Sequence, residues 1–348
     1  MPNKSPRLKT AALLFALITC ACEKRPVREQ PEFIFGTLCR LRIPEGKESV
    51  YRKVFSRLRE IEATFSVTKA GSDIDRVNSG AGIEPVYVSG EVIKVLNRAL
   101  FFAELSGGRF DPTIGPLVKL WGIGTEEARL PRQDEIEQAL SLINWRDVII
   151  DNERGTVFLK KKGMMLDLGG IVKGYAADEA TAIIEKAGVK SALIDFGGNI
   201  AAYGEKKPAG LFSKPQLWKI GVQHPEKERG EYIGAIETRD STLVTSGGYE
   251  RFFEEDGKRY HHILSTKTGY PVENELLSIT VTRSLPRGGH RYESASMDAD
   301  ALSTTLFAMG YEEGSAFISQ FPEIDAVFIL RNGEIRTTSQ IRFIRNDD

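Results

Sequence analysis

Asp300 and Thr304 stand four residues apart in MDADALSTTLFAMG (297–310), a segment whose apolar residues fall at helical spacing. On a helix that interval puts both side chains on one face, with Ser303 beside them. Carboxylate and hydroxyl oxygens placed in this way are hard donors of the kind Mg2+ prefers. An Asp near a helix start that only favours the helix dipole is the plainer alternative. His261 and His262 adjoin the turn STKTGYP (265–271). Strand alternation sends their side chains to opposite faces, so only one of them can face a site. A hydroxyl is a poor nucleophile at neutral pH, and a histidine within hydrogen-bond reach is a common means of activating it. His224 and His290 have no partner motif and read as surface residues.

Four further segments set glycine beside polar residues at element ends: GGRFDPTIGPLVKLWGIG (107–124), LDLGGIVKGYAAD (166–178), IDFGGN (194–199) and VTSGGYERFF (244–253). Taken singly, glycine pairs end helices and make turns. The elements that carry them follow from periodicity. FIFGTLCRLRI (33–43) reads as a strand and 47–65 as a helix. A second helix is expected from Ser89, as N-cap, to Ser106, ended by Gly107-Gly108, and a third over 133–143. Short strands are expected near 147–150, 156–160 and 164–168, a helix over 171–187 and a strand over 191–196. The stretch 217–264 alternates as strands do, with Asp256-Gly257 as a hairpin turn. A strand at 276–282, a helix over 298–309, and a last helix and strands complete an α+β domain spanning 33–348. Two tightly packed lobes are the alternative.

The chain has 348 residues, with 47 basic against 48 acidic, a net charge of −1 that offers no basic excess for nucleic acid. Its start has another character. Lys4, Arg7 and Lys9 precede an apolar run from Ala11 to Thr19 that is too short to span a bilayer and reads as a secretory signal over 1–22. Cys22, after the small Ala21, resembles a lipidated cysteine of a bacterial lipobox; Cys20 is the alternative, and a plain cleaved signal a third reading. Residues 23–32 are charged, carry two prolines and read as a tether. With Cys22 lipidated, Cys39 is the one thiol clearly left, which excludes an intramolecular disulfide framework.

In their joint order these segments resemble, nearly end to end from residue 33, the ApbE family of flavin transferases, whose pattern runs FDPT, DLGGIAKGYAAD, DFGGN, TSG-Y-R, HHI-DP-TG and DALST. The family cleaves FAD and attaches FMN through its phosphate to a threonine of a partner flavoprotein, releasing AMP. The resemblance implies that Gly170 (through its carbonyl), Asp300, Ser303 and Thr304 surround Mg2+, and that His262 is catalytic. It implies flavin-nucleotide contacts at Phe35, Thr68, Arg109, Phe110, Asp111, Asp167, Lys173, Ser246 and Leu264. Asp167 as a helix N-cap is the alternative for that residue. Three departures stand out: Phe35 where many members begin Met-Gly-Thr, Ser265-Thr266 in place of Asp-Pro, and Thr68 where many carry a Tyr that packs on the nucleotide. A second family acid is also replaced by Ser303. The implied protein is a lipid-anchored, periplasm-facing transferase at the inner membrane, whose acceptor is a membrane redox-pump subunit. Hydrolysis of FAD to FMN and AMP, or flavin binding without catalysis, are the alternatives.

Overall fold

The computed structural model describes residues 31–43, 48–206, 215–285, 294–338 and 341–346. Cys20, Cys22, the signal, nearly all of the tether and His290 lie outside the described residues. Within them the chain is one mixed α/β fold arranged around an eight-stranded sheet. That sheet runs β1 (Glu32–Ile34), β2 (Thr37–Arg42), β6 (Ala192–Phe196), β7 (Asn199–Tyr203), β10 (Ser241–Gly247), β13 (Leu276–Ser284), β14 (Ile324–Leu330), β15 (Ile335–Thr337), every neighbouring pair antiparallel. β14 reads IDAVFIL with six of its seven residues buried, as a strand covered on both faces must be.

One face is covered by helices α1 (Glu48–Phe65), α6 (Val172–Lys186) and α7 (Ala295–Met309). The other is covered by a three-stranded sheet of β8 (Trp218–Gln223), β9 (Tyr232–Thr238) and β16 (Phe343–Arg345), whose Trp218, Ile220 and Ile236 pack on Leu243, Val327 and Ile329. A second small sheet of β3 (Val86–Tyr87), β5 (Thr156–Leu159) and β4 (Val148–Asp151) extends the helical side with α2 (Asp73–Ser79) and α3 (Gly90–Leu105). The hairpin β11 (Phe252–Glu255)–β12 (Lys258–His261) joins α4 (Gly115–Trp121) and α5 (Gln133–Leu140) in a separate apolar cluster about Trp121. Helix α8 (Tyr311–Ile318) packs on β14. Among the described residues no helix is long and apolar enough to cross a membrane.

The expected elements hold in most places, and the differences have local causes. The strand expected over 33–43 is a hairpin, because Phe35 and Gly36 take φ of 57° and 65°, a left-handed pair that turns the chain in two residues. Residues 164–168 form no strand; a lone bridge joins Met165 to Ile114. Ser89 holds the N-cap position of α3 but its hydroxyl makes no capping bond. The short α2 and α4 were not expected; glycines around α2, and glycines and prolines around α4, broke the periodicity that would have marked them.

Candidate active site

Helix α7 is wedged between α6 and strands β10 and β13, and nearly every residue along it is buried. Asp178 of α6 fixes its start, accepting from the Ser296 and Met297 amides at 2.9 and 3.0 Å. Burial pushes that carboxyl up to about 7, while the two amides pull the other way. The helices touch at Gly174, where a Cβ would lie 2.2 Å from the Ser296 carbonyl oxygen. That closeness lets the Gly174 amide donate to Asp300 Oδ2 at 2.9 Å. The other oxygen, Oδ1, accepts from Asn199 Nδ2 at 3.0 Å, and Lys173 Nζ stands 3.7 Å from it. Asp300 is therefore a buried carboxylate held by one amide, one side-chain amide and one ammonium.

One turn further along α7, Thr304 Oγ1 faces Gly170 so closely that a Cβ there would lie 3.2 Å from the hydroxyl. The Phe110 ring closes the same spot from the other side, also at 3.2 Å. Asn199 is 1% exposed, and its carbonyl oxygen is buried with no hydrogen-bond partner. A buried orphan acceptor beside Asp300 suits a hydrated cation, whose water would supply the missing donor. Among the described residues no three His, Cys, Asp or Glu cluster, so the donors are one carboxylate and neutral oxygens. That set fits Mg2+, which keeps several positions for water and phosphate. Ser303 is differently placed: its hydroxyl bonds the Asp300 carbonyl at 2.9 Å and the Ser246 hydroxyl at 2.8 Å. Ser246 and Ser303 are thus brought together, each engaged with the other.

His262 follows the last residue of β12, with its amide donating to the Arg251 carbonyl at 3.0 Å and Nδ1 3.3 Å from the same oxygen. Burial, then the charges of Arg251, His261 and Lys173, push its imidazole down to about 3, so it is neutral and a free acceptor at pH 7. His261 turns the other way, as alternation requires. It is 6% exposed, bonds the Val272 carbonyl at 3.0 Å through Nε2 and meets Phe307 edge-on. Asp167 accepts from the Gly169 amide at 2.8 Å and caps no helix, since Ile171 holds the N-cap position of α6. Burial raises its carboxyl, while Gly169 N–H, Lys173 and Arg251 lower it. Lys173, in the first turn of α6, donates to the Gly169 carbonyl at 2.7 Å.

The remaining expected contacts are more scattered. Phe110 is buried against Gly170, but Asp111 spends its carboxylate on Thr113 (2.8 Å to the amide, 2.6 Å to the hydroxyl) and the Trp145 amide (3.1 Å). Arg109 pairs with Glu313. Leu264 is buried in the Trp121 cluster, where its main chain bridges Pro271. The departure at Ser265-Thr266 keeps a local role, as Thr266 Oγ1 donates to the Gly108 carbonyl at 2.7 Å. Phe35 N donates to Glu62 at 2.6 Å, and Thr68 is exposed in the turn after α1. Three residues of the site were not singled out from sequence: Asn199, Asp178 and Arg251. Asn199 and Asp178 each close one of the glycine motifs and Arg251 lies within another, which was the available signal.

This arrangement, a buried carboxylate with hydroxyl and carbonyl oxygens, two cations and a neutral imidazole, offers the donors and charges that an enzyme acting on a phosphoanhydride would need. The ApbE family model matches residues 35–328, and the chain belongs to that family. It is 37% identical over 331 residues to the FAD:protein FMN transferase of Treponema pallidum, covering 90% of this chain and 88% of that one. To the FAD:protein FMN transferase of Klebsiella pneumoniae it is 36% identical, covering 89% and 91%. The crystal structure of the ApbE protein of Thermotoga maritima superimposes with a TM-score of 0.78 at 32% identity, over 90% of this chain and 97% of that one. The flavin transferase ApbE from Vibrio cholerae gives 0.74 at 25% identity, over 89% and 96%.

Proposed function

We propose that this protein is a Mg2+-dependent FAD:protein FMN transferase. The observation that carries the reading is the buried Asp300 carboxylate with Lys173 Nζ 3.7 Å from it and Thr304 Oγ1 against Gly170 one turn on, the charge of Lys173 also reaching His262. Asp300, Thr304 Oγ1 and the Gly170 carbonyl would hold Mg2+, which supplies charge neutralisation at the pyrophosphate. Lys173 adds a positive charge on the same side. His262 takes the proton of the acceptor threonine hydroxyl; its oxygen attacks the FMN-side phosphorus, the anhydride P–O bond breaks, and AMP leaves with the bridging oxygen. Burial is the first cause of the depressed basicity of His262, and the charges of Arg251, His261 and Lys173 add to it. A bound pyrophosphate sets negative charge against them and moves the imidazole towards neutral pH, where a general base works best.

Hydrolysis of FAD differs only in that water attacks. The observation favouring it as a side activity is Thr68: a small, exposed residue there offers no aromatic face to retain flavin nucleotide. Lipid attachment at Cys22, a periplasm-facing position at the inner membrane and a membrane redox-pump subunit as acceptor belong to the same proposal, and they rest on the sequence of residues 1–32 and on the family resemblance. The test is to incubate the full chain in detergent with FAD and Mg2+, with and without a threonine-bearing acceptor, following AMP, FMN and acceptor-bound flavin fluorescence. AMP formed together with flavinylated acceptor is expected. FAD bound stoichiometrically without any AMP would replace the reading with flavin storage.

A further inference from the structure

Arg251 lies just before β11, in the hairpin that ends beside His262, and nothing in the pairing of charges explains it. Arg57, Arg98, Arg109 and Arg283 each meet a carboxylate. Arg251 ion-pairs with none among the described residues. Its Nη2 donates to the Gly36 carbonyl at 3.1 Å and reaches the Phe35 carbonyl at 3.5 Å. A guanidinium has five N–H donors, and among the described residues the bonds through Nη2 leave the other nitrogens without a hydrogen-bond partner. The stem lies across Gly124, where a Cβ would stand 3.3 Å from Arg251 Cδ. The turn at Phe35-Gly36 and the glycine at 124 therefore hold the head group in one place at low cost in rotamer freedom.

Its main chain lies against the histidine, and the charge of the head group reaches the site. The Arg251 carbonyl is the acceptor for the His262 main chain and lies 3.3 Å from Nδ1. A proton on Nδ1 directed at this carbonyl leaves Nε2 bare, the form a general base needs. The charge of Arg251 also acts on Asp167 and on His262. Lys173, the other cation there, is already engaged by the Gly169 carbonyl and Asp300. A dianionic pyrophosphate at the site meets one ammonium shared with a carboxylate and one guanidinium that, among the described residues, has only main-chain carbonyls on one nitrogen.

We propose that Arg251 is a substrate-binding residue that takes a phosphate of the FAD pyrophosphate through its free guanidinium N–H groups, an inference that rests on the flavin-transfer reading above. Its planar fork matches two phosphate oxygens at once, which an ammonium cannot do. The alternative is a strut that only ties the hairpin to the Phe35 turn.

The two are separated by titrating FAD into the full chain in detergent, with Mg2+, for the wild type, Arg251→Met and Arg251→Lys at low and high salt. Arg251→Met should weaken FAD binding about 10- to 100-fold at low salt, the scale of a hydrogen-bonded ion contact, and flatten the salt dependence. Arg251→Lys should recover the salt dependence but only part of the affinity, because charge is kept and the fork lost. Unchanged affinity in Arg251→Met overturns the assignment, as does an affinity loss with the wild-type salt dependence, which is what a strut would give. If the wild type itself binds no FAD, the flavin-transfer reading falls and this assignment with it.

Discussion

Gly174→Ala probes the contact on which the site is built. The new methyl would lie 2.2 Å from the Ser296 carbonyl oxygen and 2.6 Å from Met297 Cα, both main-chain atoms of a buried helix that cannot swing aside. Ordinary contact needs about 3.5 Å, so α6 and α7 must part by roughly 1 Å. Overpacking of this kind costs about 1–3 kcal/mol. The parting also stretches the 2.9 Å bond from Gly174 to Asp300. A hydrogen bond to a charged group contributes about 1.5–3 kcal/mol. Together the loss is about 2.5–6 kcal/mol, or a fall in Tm of roughly 5–15 °C for a domain of this size. Because Asp300 moves as well, Mn2+ affinity, measured as a stand-in for Mg2+, should fall about 10- to 100-fold, as when a partner of a metal ligand is lost. Gly90→Ala is the control. Its Cβ would meet nothing within 4 Å in the first turn of α3, so it should hold or raise Tm. Calorimetry and metal titration on both variants decide it. A Gly174→Ala protein with wild-type Tm and Mn2+ affinity would refute the account of how Asp300 is held.

Asp300→Asn keeps the shape of the side chain but removes the one carboxylate of the donor set, so Mn2+ binding and AMP release from FAD should both be lost while circular dichroism stays native; undiminished AMP release from the folded variant would exclude the metal assignment. His262→Ala should cost about 10²–10⁴ in flavin transfer with little change in FAD affinity. His261→Ala should instead lower Tm, since His261 is packed against Phe307 and the Val272 carbonyl; equal rate losses in the two folded variants would undo the division of roles. Asp178 makes a pH-dependent contribution whose sign is fixed. Its folded value is raised from 3.8 to about 7, so the folded state keeps a proton that the unfolded chain releases, and stability falls as pH rises through that window. His262 works the other way, its value lowered from 6.5 to about 3, so stability rises over much of the same range. Urea unfolding of the wild type and Asp178→Asn between pH 4.5 and 7.5 isolates the first effect: the wild type should lose stability relative to the variant as pH rises, and a constant difference would contradict a buried, proton-holding Asp178.

How much of this was legible in the sequence depended on which physical signal each element carries. The helices with long apolar stripes, α1 and α3, follow from periodicity alone, since Val50, Val54, Leu58 and Ile61 are all buried. Hairpin β11–β12 follows from Asp256-Gly257, whose φ of 52° and 75° are those the turn requires. The β1–β2 turn was hidden because Phe35 holds a left-handed φ of 57°, which an aromatic residue rarely takes. Here tertiary bonds impose it: Glu62 accepts from its amide, and Arg251 donates to the Gly36 carbonyl beside it. No local pattern contains that information.

The site divides in the same way. Asp300 and Thr304 announce themselves through a four-residue spacing on one helix, and their helical placement needs no tertiary knowledge. What holds Asp300 comes from Gly174 on another helix and Asn199 on a strand, which lie 126 and 101 residues away in the chain. Glycine marks such places ambiguously, because the same residue ends a helix, turns a chain or lets two backbones meet. At Gly174 the third role applies, and only the 2.2 Å clash of an added Cβ tells it from the others. Arg251 shows the limit from the charged side. In sequence it is one basic residue among 47, and its character comes from what it lacks among the described residues, a carboxylate, and from the two glycines and one imidazole around which its backbone and stem are laid. Pairing is a property of the fold. A cation without a carboxylate partner among the described residues, with its main chain on a neutral histidine, becomes visible as a site for an anion only in the fold, where Arg57, Arg98, Arg109 and Arg283 are each seen to meet a carboxylate.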